Sequence, residues 1–171
     1  MKMTRSQKML NKLLFRNHFS DNISSKLYEE KTFYPAFIKD LRRAKLEVII
    51  ESPYLTQKRL NTMLPVFRKL RKRDINIIVN TKEPDEHDEN MKVEALLCVY
   101  ELQNSGVEVF YTYGLHRKLA IIHQKILWEG SLNILSQNKS IEIMRRVVSR
   151  SQFVELEKHI NISMLLAISN S

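Results

Sequence analysis

The chain has 171 residues, of which 43% are hydrophobic and 27% charged, and its formal net charge is +9. That length supports one domain with its own core and is short for two, and the composition excludes a disordered chain. A single cysteine, Cys98, excludes an intrachain disulfide framework, and no apolar run approaches the ~18 residues that a membrane helix needs. The positive balance favours polyanionic partners, such as nucleic acid or an anionic membrane surface. Asn11, Lys12, Arg16 and Asn17 interrupt the basic N-terminus, which therefore lacks the apolar core of a signal peptide, and the chain is expected to be cytoplasmic.

The first predicted element is an amphipathic helix over residues 1–19, with Met9, Leu10, Leu13 and Leu14 as its stripe and lysines and arginines around it. Such a helix suits packing on the domain, a dimer mate or, with its narrow apolar face less readily, a membrane surface. Residues 20–25 are polar and read as a loop, so the domain boundary is set there: 1–25 as helix and linker, 26–171 as a single domain. A second helix is predicted over 32–44, with Phe33, Phe37 and Leu41 at four-residue spacing. A strand follows over 45–52 around Val48, Ile49 and Ile50, closed by Ser52-Pro53 because proline cannot continue a ladder.

The third predicted helix covers 57–73 with Leu60, Met63, Leu64, Phe67 and Leu70 inward; Pro65 implies either a kink or a start near Asn61. Its basic end, Arg68 to Arg73, reads as cations on a helix C-terminus or as phosphate contacts. Residues 75–80 form a second strand. The acidic run 81–90 reads as a solvated loop, since most of its carboxylates cannot converge with His87 on one ion. A helix over 91–104 stops at Gly106, and a strand over 107–113 alternates Val107, Val109 and Tyr111. Later, 136–140 is a polar loop, 141–148 a strand and 152–160 a last helix with Phe153, Leu156 and Ile160 inward; residues 161–171 complete that helix or cover an edge. Cys98 sits in an apolar helical stretch and reads as packing. Strands alternating with helices argue for α/β layers around a mixed sheet.

The chemistry concentrates in residues 115–133, LHRKLAIIHQKILWEGSLN. Two apolar runs, 119–122 and 126–128, read as buried strands joined by the turn His123-Gln124-Lys125. His116 and Lys118 are two apart and share a strand face; Ser131 and Asn133 repeat that spacing. A hairpin would bring imidazole, ammonium, hydroxyl and amide together, a set suited to a phosphate ester: the imidazole attacks phosphorus and the others hold its oxygens. With only Gly106, Gly114 and Gly130 in the chain, no phosphate-cradling glycine loop exists, which disfavours an ATPase or dinucleotide enzyme.

The pattern His-x-Lys, four residues, a position usually Asp, six residues, then Gly-Ser-x-Asn resembles the signature of the phospholipase D superfamily. His116, Lys118, Gly130, Ser131 and Asn133 fit its spacing without a gap, and His123 departs from it by standing where Asp is usual. The flanks SPYLT at 52–56, the strand from Gly106 and SIEIMRR at 140–146 are similar to the phospholipase D-like domains at the C-termini of some bacterial helicases. The resemblance implies a mixed, mostly parallel β-sheet with helices on both faces. It also implies a metal-independent and cofactor-free phosphodiesterase whose reaction passes through a covalent phosphohistidine.

In that superfamily two motif copies supply two histidines. This chain has one copy, so the resemblance implies a homodimer in which one His116 attacks and its mate serves as acid, then base. Lys118, Asn133 and Ser131 would hold phosphate oxygens. Glu142 matches the acidic residue that fixes the imidazole tautomer, and Arg117 and Arg145 are read as substrate-binding. His123, an odd number of residues from His116, faces away from it and belongs to the turn. The expected function is a nuclease, on DNA ahead of RNA, with a helicase or other DNA-processing protein as a further partner and no stable membrane insertion. Two alternatives stay open: a catalytically silent nucleic-acid-binding or dimerisation module, and a phospholipid hydrolase.

Overall fold

The computed structural model describes residues 23–136 and 141–160. The helix expected over 1–19, the tail 161–171 and most of the loop 136–140 lie outside the described residues. Seven strands are described: β1 (Ser24–Glu29), β2 (Glu47–Glu51), β3 (Asn76–Thr81), β4 (Glu108–Tyr111), β5 (Leu119–Ile122), β6 (Ile126–Gly130) and β7 (Ile143–Val148). The helices are α1 (Glu30–Arg42), α2 (Gln57–Arg71), α3 (Glu89–Asn104) and α4 (Arg150–Glu157), with one 3-10 turn at Pro84–Glu86.

The strands form one sheet in the order β1-β7-β6-β5-β2-β3-β4. Only β2–β3 and β3–β4 pair in parallel; β1–β7, β7–β6, β6–β5 and β5–β2 are antiparallel. The sheet is therefore mixed, as expected, but antiparallel neighbours predominate where mostly parallel pairing was anticipated. The reason lies in the connections. Helical crossovers through α2 and α3 return the chain in parallel, whereas β5 and β6 are joined by a tight turn and must run antiparallel. In that turn His123 and Gln124 have φ of 39° and 54°, and Lys125 N–H donates to the Ile122 carbonyl at 3.2 Å. Histidine, like Asp and Asn, is enriched in this left-handed region, so turn geometry accounts for what occupies position 123.

β1 is an element that the sequence does not announce. Five of its six residues are exposed, so it carries no alternation, and its first two residues fall in the segment read as loop. It is an edge strand held by register, Ser24 opposite Val148 through Glu29 opposite Ile143.

The central strands are apolar without alternation because both sheet faces are covered. Val48, Ile50, Ile77, Val79, Ala120, Ile122, Trp128 and Met144 face one core, built with Phe33, Phe37, Leu41, Phe67 and Leu102. Ile49, Ile78, Leu119, Ile121, Leu127 and Val147 face a smaller one, closed by Phe153 of α4 and by Ile160. α2 runs unbroken from Gln57 through Pro65. Asp88, N-terminal to α3, accepts a hydrogen bond from Met91 N–H at 2.9 Å. Two of the acidic segment's other carboxylates are engaged as well: Asp85 pairs with Lys92 at 2.6 Å and Glu86 accepts from Gly114 N–H at 2.8 Å. The segment is a solvated loop, as expected, with Glu83, Asp85, Asp88 and Glu89 exposed, but these contacts fix its path.

The larger core contains one ionic knot. Asp40 accepts from Arg146 Nε at 2.5 Å and Nη2 at 2.9 Å, and from Trp128 Nε1 at 3.0 Å. The Asp40 side chain is only 7% exposed, so its charge persists inside the fold only because three donors surround it. Asp40→Ala strands both Arg146 and the indole N–H; it is expected to lower stability by about 3–5 kcal/mol, read as a drop in the urea midpoint.

Candidate active site at the carboxyl edge of the parallel strands

β2, β3, β4 and β6 end, and β5 and β7 begin, along one edge of the sheet, as the pairings Glu51–Leu119, Leu119–Glu129 and Gly130–Met144 require. In open α/β sheets this edge, outside the carboxyl ends of the strands, is where ligands bind. The sequence-predicted residues collect there.

Lys118 lies one residue ahead of β5. Its ammonium donates to the His116 backbone carbonyl at 2.6 Å, and its own carbonyl accepts from Gly130 N–H at 3.3 Å. Burial pushes the Lys118 pKa below its usual value, the Glu142 carboxylate pulls it back up, and Lys82 pushes it down further. Lys118, Glu142 and Lys82 are thus mutual electrostatic neighbours. The His116 imidazole is exposed, with no hydrogen-bond partner among the described residues.

Ser131 continues the β6–β7 ladder: its N–H donates to the Ile143 carbonyl at 3.1 Å, and its hydroxyl accepts from Ile143 N–H at 3.3 Å. Glu142 is therefore carried one residue from Ser131's partner. Gly130 is dictated by the same closeness. A Cβ at Gly130 would stand 2.2 Å from the Ile143 carbonyl oxygen, so no side chain fits before the serine. Asn133 is half-buried, and its side-chain Oδ1 is buried with no partner; its carbonyl accepts from Ser136 N–H at 3.1 Å.

Arg117 and Arg145, read as substrate contacts, occupy different situations. The Arg117 guanidinium forms a two-point ion pair with Glu51, Nε to Oε2 at 2.6 Å and Nη2 to Oε1 at 2.9 Å, and that bond raises its pKa further. Arg145 is exposed on β7, opposite Glu129 of β6. Both border a cleft of about 490 Å³ that Lys118, Gly130 and Leu119 also line. His123 sits at the far end of β5, five residues from Lys118, or roughly 16 Å along an extended chain, and its backbone N–H donates to the Glu47 carbonyl at 2.9 Å.

The sequence reading missed the residues that hold this edge together. Glu51 also accepts from Asn80 Nδ2 at 2.9 Å, and Asn80 Oδ1 accepts from the Thr112 hydroxyl at 3.0 Å. A signal existed: each of Glu51 and Asn80 is a polar residue ending a run of buried aliphatics, which a strand tolerates only where the group is paired.

With this geometry in hand, the comparisons fall into place. The profile of the family described as cardiolipin synthase, PLD-like domain, matches residues 37–162. The chain belongs to this phospholipase D-like family. The fold is similar to that of Nuc, a phospholipase D family member from Salmonella typhimurium, with a TM-score of 0.66 at 13% identity over 81% of this chain and 91% of that one. It is also similar to NucT from Helicobacter pylori, with a TM-score of 0.61 at 16% identity over 81% and 93% of the two chains. TrmBL2, an archaeal chromatin protein whose structure shows a mode of DNA binding, matches at a TM-score of 0.55 and 8% identity over 93% of this chain and 58% of that one. No curated protein sequence matches this chain. Among the described residues, no helix of this phospholipase D-like chain is long and apolar enough to cross a membrane.

Gly130→Ala forces the β6–β7 backbones apart at the point where Ser131 docks. The expected result is a loss of stability of about 1–3 kcal/mol, the range of an overpacked site, together with loss of whatever activity the site supports. The urea midpoint of the purified variant measures the first.

Proposed function

We propose that this chain is a metal-independent phosphodiesterase that cleaves nucleic acid, DNA ahead of RNA, in the cytoplasm. The observation that carries the reading is the assembly at one sheet edge of Lys118, Gly130, Ser131 and Glu142 beside His116, whose exposed imidazole has no hydrogen-bond partner among the described residues. Membership of the phospholipase D-like family supports phosphodiester chemistry. The net charge of +9 and the fold likeness to Nuc, NucT and TrmBL2 support nucleic acid as the substrate class.

The mechanism proceeds in two displacements. A neutral His116 nitrogen attacks phosphorus; the P–N bond forms as the P–O bond to the leaving strand breaks, and a proton passes to that oxygen. Water then attacks the phosphohistidine; a P–O bond forms, the P–N bond breaks, and the water's proton returns to the general base. Lys118 neutralises the phosphate, and the Asn133 amide and Ser131 hydroxyl orient it. One chain offers one such histidine, so the acid is the partner's His116 in a two-fold dimer.

An exposed apolar stripe on α3 supports docking of a second copy there. Val93, Leu96, Leu97 and Tyr100 recur at i, i+3, i+4 and i+7, and they are 57%, 48%, 56% and 65% exposed, while Ala95, Cys98, Val99 and Leu102 of the same helix are buried. A helix apolar on both faces is ordinarily covered on both. Because α3 begins next to the 3-10 turn whose Glu86 holds Gly114, a mate on this stripe stands close to the loop that carries His116.

A second reading, a silent DNA-binding module, draws on the likeness to TrmBL2. Cleavage of single-stranded DNA, duplex DNA, RNA and phospholipid vesicles in excess EDTA, with His116→Ala as control, separates the readings. The expected result is chelator-resistant cleavage of nucleic acid, reduced at least 10³-fold in the variant. Salt-sensitive binding without cleavage overturns the enzyme reading, and cleavage of lipid alone overturns the substrate class. Leu97→Asp is expected to shift the mass by light scattering from dimer to monomer and to abolish cleavage; a wild-type monomer that cleaves overturns the shared site.

A further inference from the structure

The segment Ser52-Pro53-Tyr54-Leu55-Thr56 carries no part of the chemistry above, yet it is built with care. The Ser52 hydroxyl accepts from Leu135 N–H at 3.0 Å and donates to the Tyr54 carbonyl at 3.0 Å, and Thr56 N–H donates to the Leu135 carbonyl at 2.9 Å. The segment is thus laced to the loop that follows Asn133. Between it and the start of α3 lies a cavity of about 380 Å³, bordered by Tyr54, Thr56, His87, Met91, Glu94 and Ser136. That volume is at the lower end of small-molecule sites, roughly 300–1,000 Å³.

Its walls have a particular chemistry. The rings of Tyr54 and His87 stand 5.3 Å apart at 46°, so two aromatic surfaces border the space. Burial and the nearby Lys82 push the His87 pKa below its usual value, which keeps the ring neutral and suited to stacking. Met91 adds a polarisable apolar wall. The polar groups are few and placed: the buried Thr56 Oγ1 has no partner, and Glu94 keeps one oxygen on Gln57 N–H at 2.9 Å. The cavity is also tied to the reaction centre through a cation. Lys82 Nζ sits 5.5 Å from the Tyr54 ring centroid and is an electrostatic neighbour of Lys118.

We infer that this cavity is a nucleobase subsite: an unstacked base of the substrate strand enters beside the Tyr54–His87 pair and stacks on its exposed aromatic face, while Lys82 tracks the backbone toward the phosphate held at Lys118. A planar base offers the π-face that two aromatic walls need. A carboxylate, an acceptor only, selects base edges that donate, such as the exocyclic amine of cytosine. A base reaches such a cavity without the cost of unpairing only from an unpaired strand, so the cavity favours a single-stranded substrate. This rests on the nuclease reading and adds to it the strand preference and the residues that set it.

The test uses the full chain carrying His116→Ala to stop turnover, titrated by fluorescence anisotropy with a single-stranded oligonucleotide, the same oligonucleotide bearing abasic sites throughout, and the duplex. The intact single strand is expected to bind on the order of tenfold tighter than the abasic one. Adding Tyr54→Ala erases that difference, Tyr54→Phe preserves it, and Glu94→Gln, which keeps an acceptor for Gln57 N–H, flattens the preference between cytosine and thymine homopolymers. Circular dichroism establishes that each variant is folded, and the phenylalanine variant keeps the test decisive if the alanine variant is not. Equal affinity for intact and abasic strands, or tighter binding of the duplex, overturns the subsite and leaves the nuclease reading standing. Failure to bind any of the three, joined to absence of cleavage by the unsubstituted chain, overturns the nuclease reading and the subsite with it.

Discussion

The carboxylate of Glu51 is the constraint on which the site depends. It ends the central strand β2, is 2% exposed, and receives hydrogen bonds from Arg117 on one side and Asn80 on the other. Through Asn80 it also reaches Thr112, so both ends of the loop from Thr112 to Arg117 are tied to one buried charge. His116 and Lys118 flank the tied arginine. A buried ion pair of this kind adds little net stability over an apolar isostere, because desolvation offsets the Coulomb attraction. What it supplies is register: a carboxylate with fixed donors admits one placement of the loop, and a one-residue slip would leave a charge unpaired in the core.

The two edges of the sheet divide the work. The carboxyl edge holds Glu51, Lys118, Ser131 and Glu142, and the opposite edge holds the His123 turn, Glu47 and the start of β3. Glu47 is buried, and burial raises its pKa, an effect that the Gln124 side chain and Arg150 oppose. Polar burial at that end closes turns and anchors α4, whereas at the carboxyl edge it aims functional groups. The departure at His123 therefore falls on the structural edge. It changes how a hairpin turns and takes no group from the reacting end.

Much of this was legible in the chain because two rules coincide at the hairpin. Buried runs of four and three residues mark β5 and β6, and the spacing of polar residues outside them marks the site; both depend only on the two-residue repeat of a strand. The covered central strands, the helix stripes and the turn at 123–125 followed from the same local arithmetic. What was not legible depends on partners distant in sequence. β1 has no pattern of its own and exists because β7 offers an edge. The predominance of antiparallel neighbours depends on β1 and β2 pairing with strands about 120 and about 70 residues away. Arg117 reads as a surface cation until Glu51, 66 residues earlier, is seen to hold it. The contacts of the acidic segment with Lys92 and Gly114 likewise join residues that its own sequence does not point to.

The arrangement also bears on why, in the proposed mechanism, one chain would make half a site. A leaving oxygen needs a proton from a group whose pKa lies near the working pH. Burial and Lys82 lower the pKa of Lys118, and the Glu142 carboxylate acts against them. The hydrogen bond of Lys118 to the His116 carbonyl fixes it as a positioning cation. In the proposed mechanism this edge of one chain supplies the nucleophile and its electrostatic cradle, the proton comes from a second imidazole, and a two-fold axis is the simplest symmetry that brings one from an identical chain.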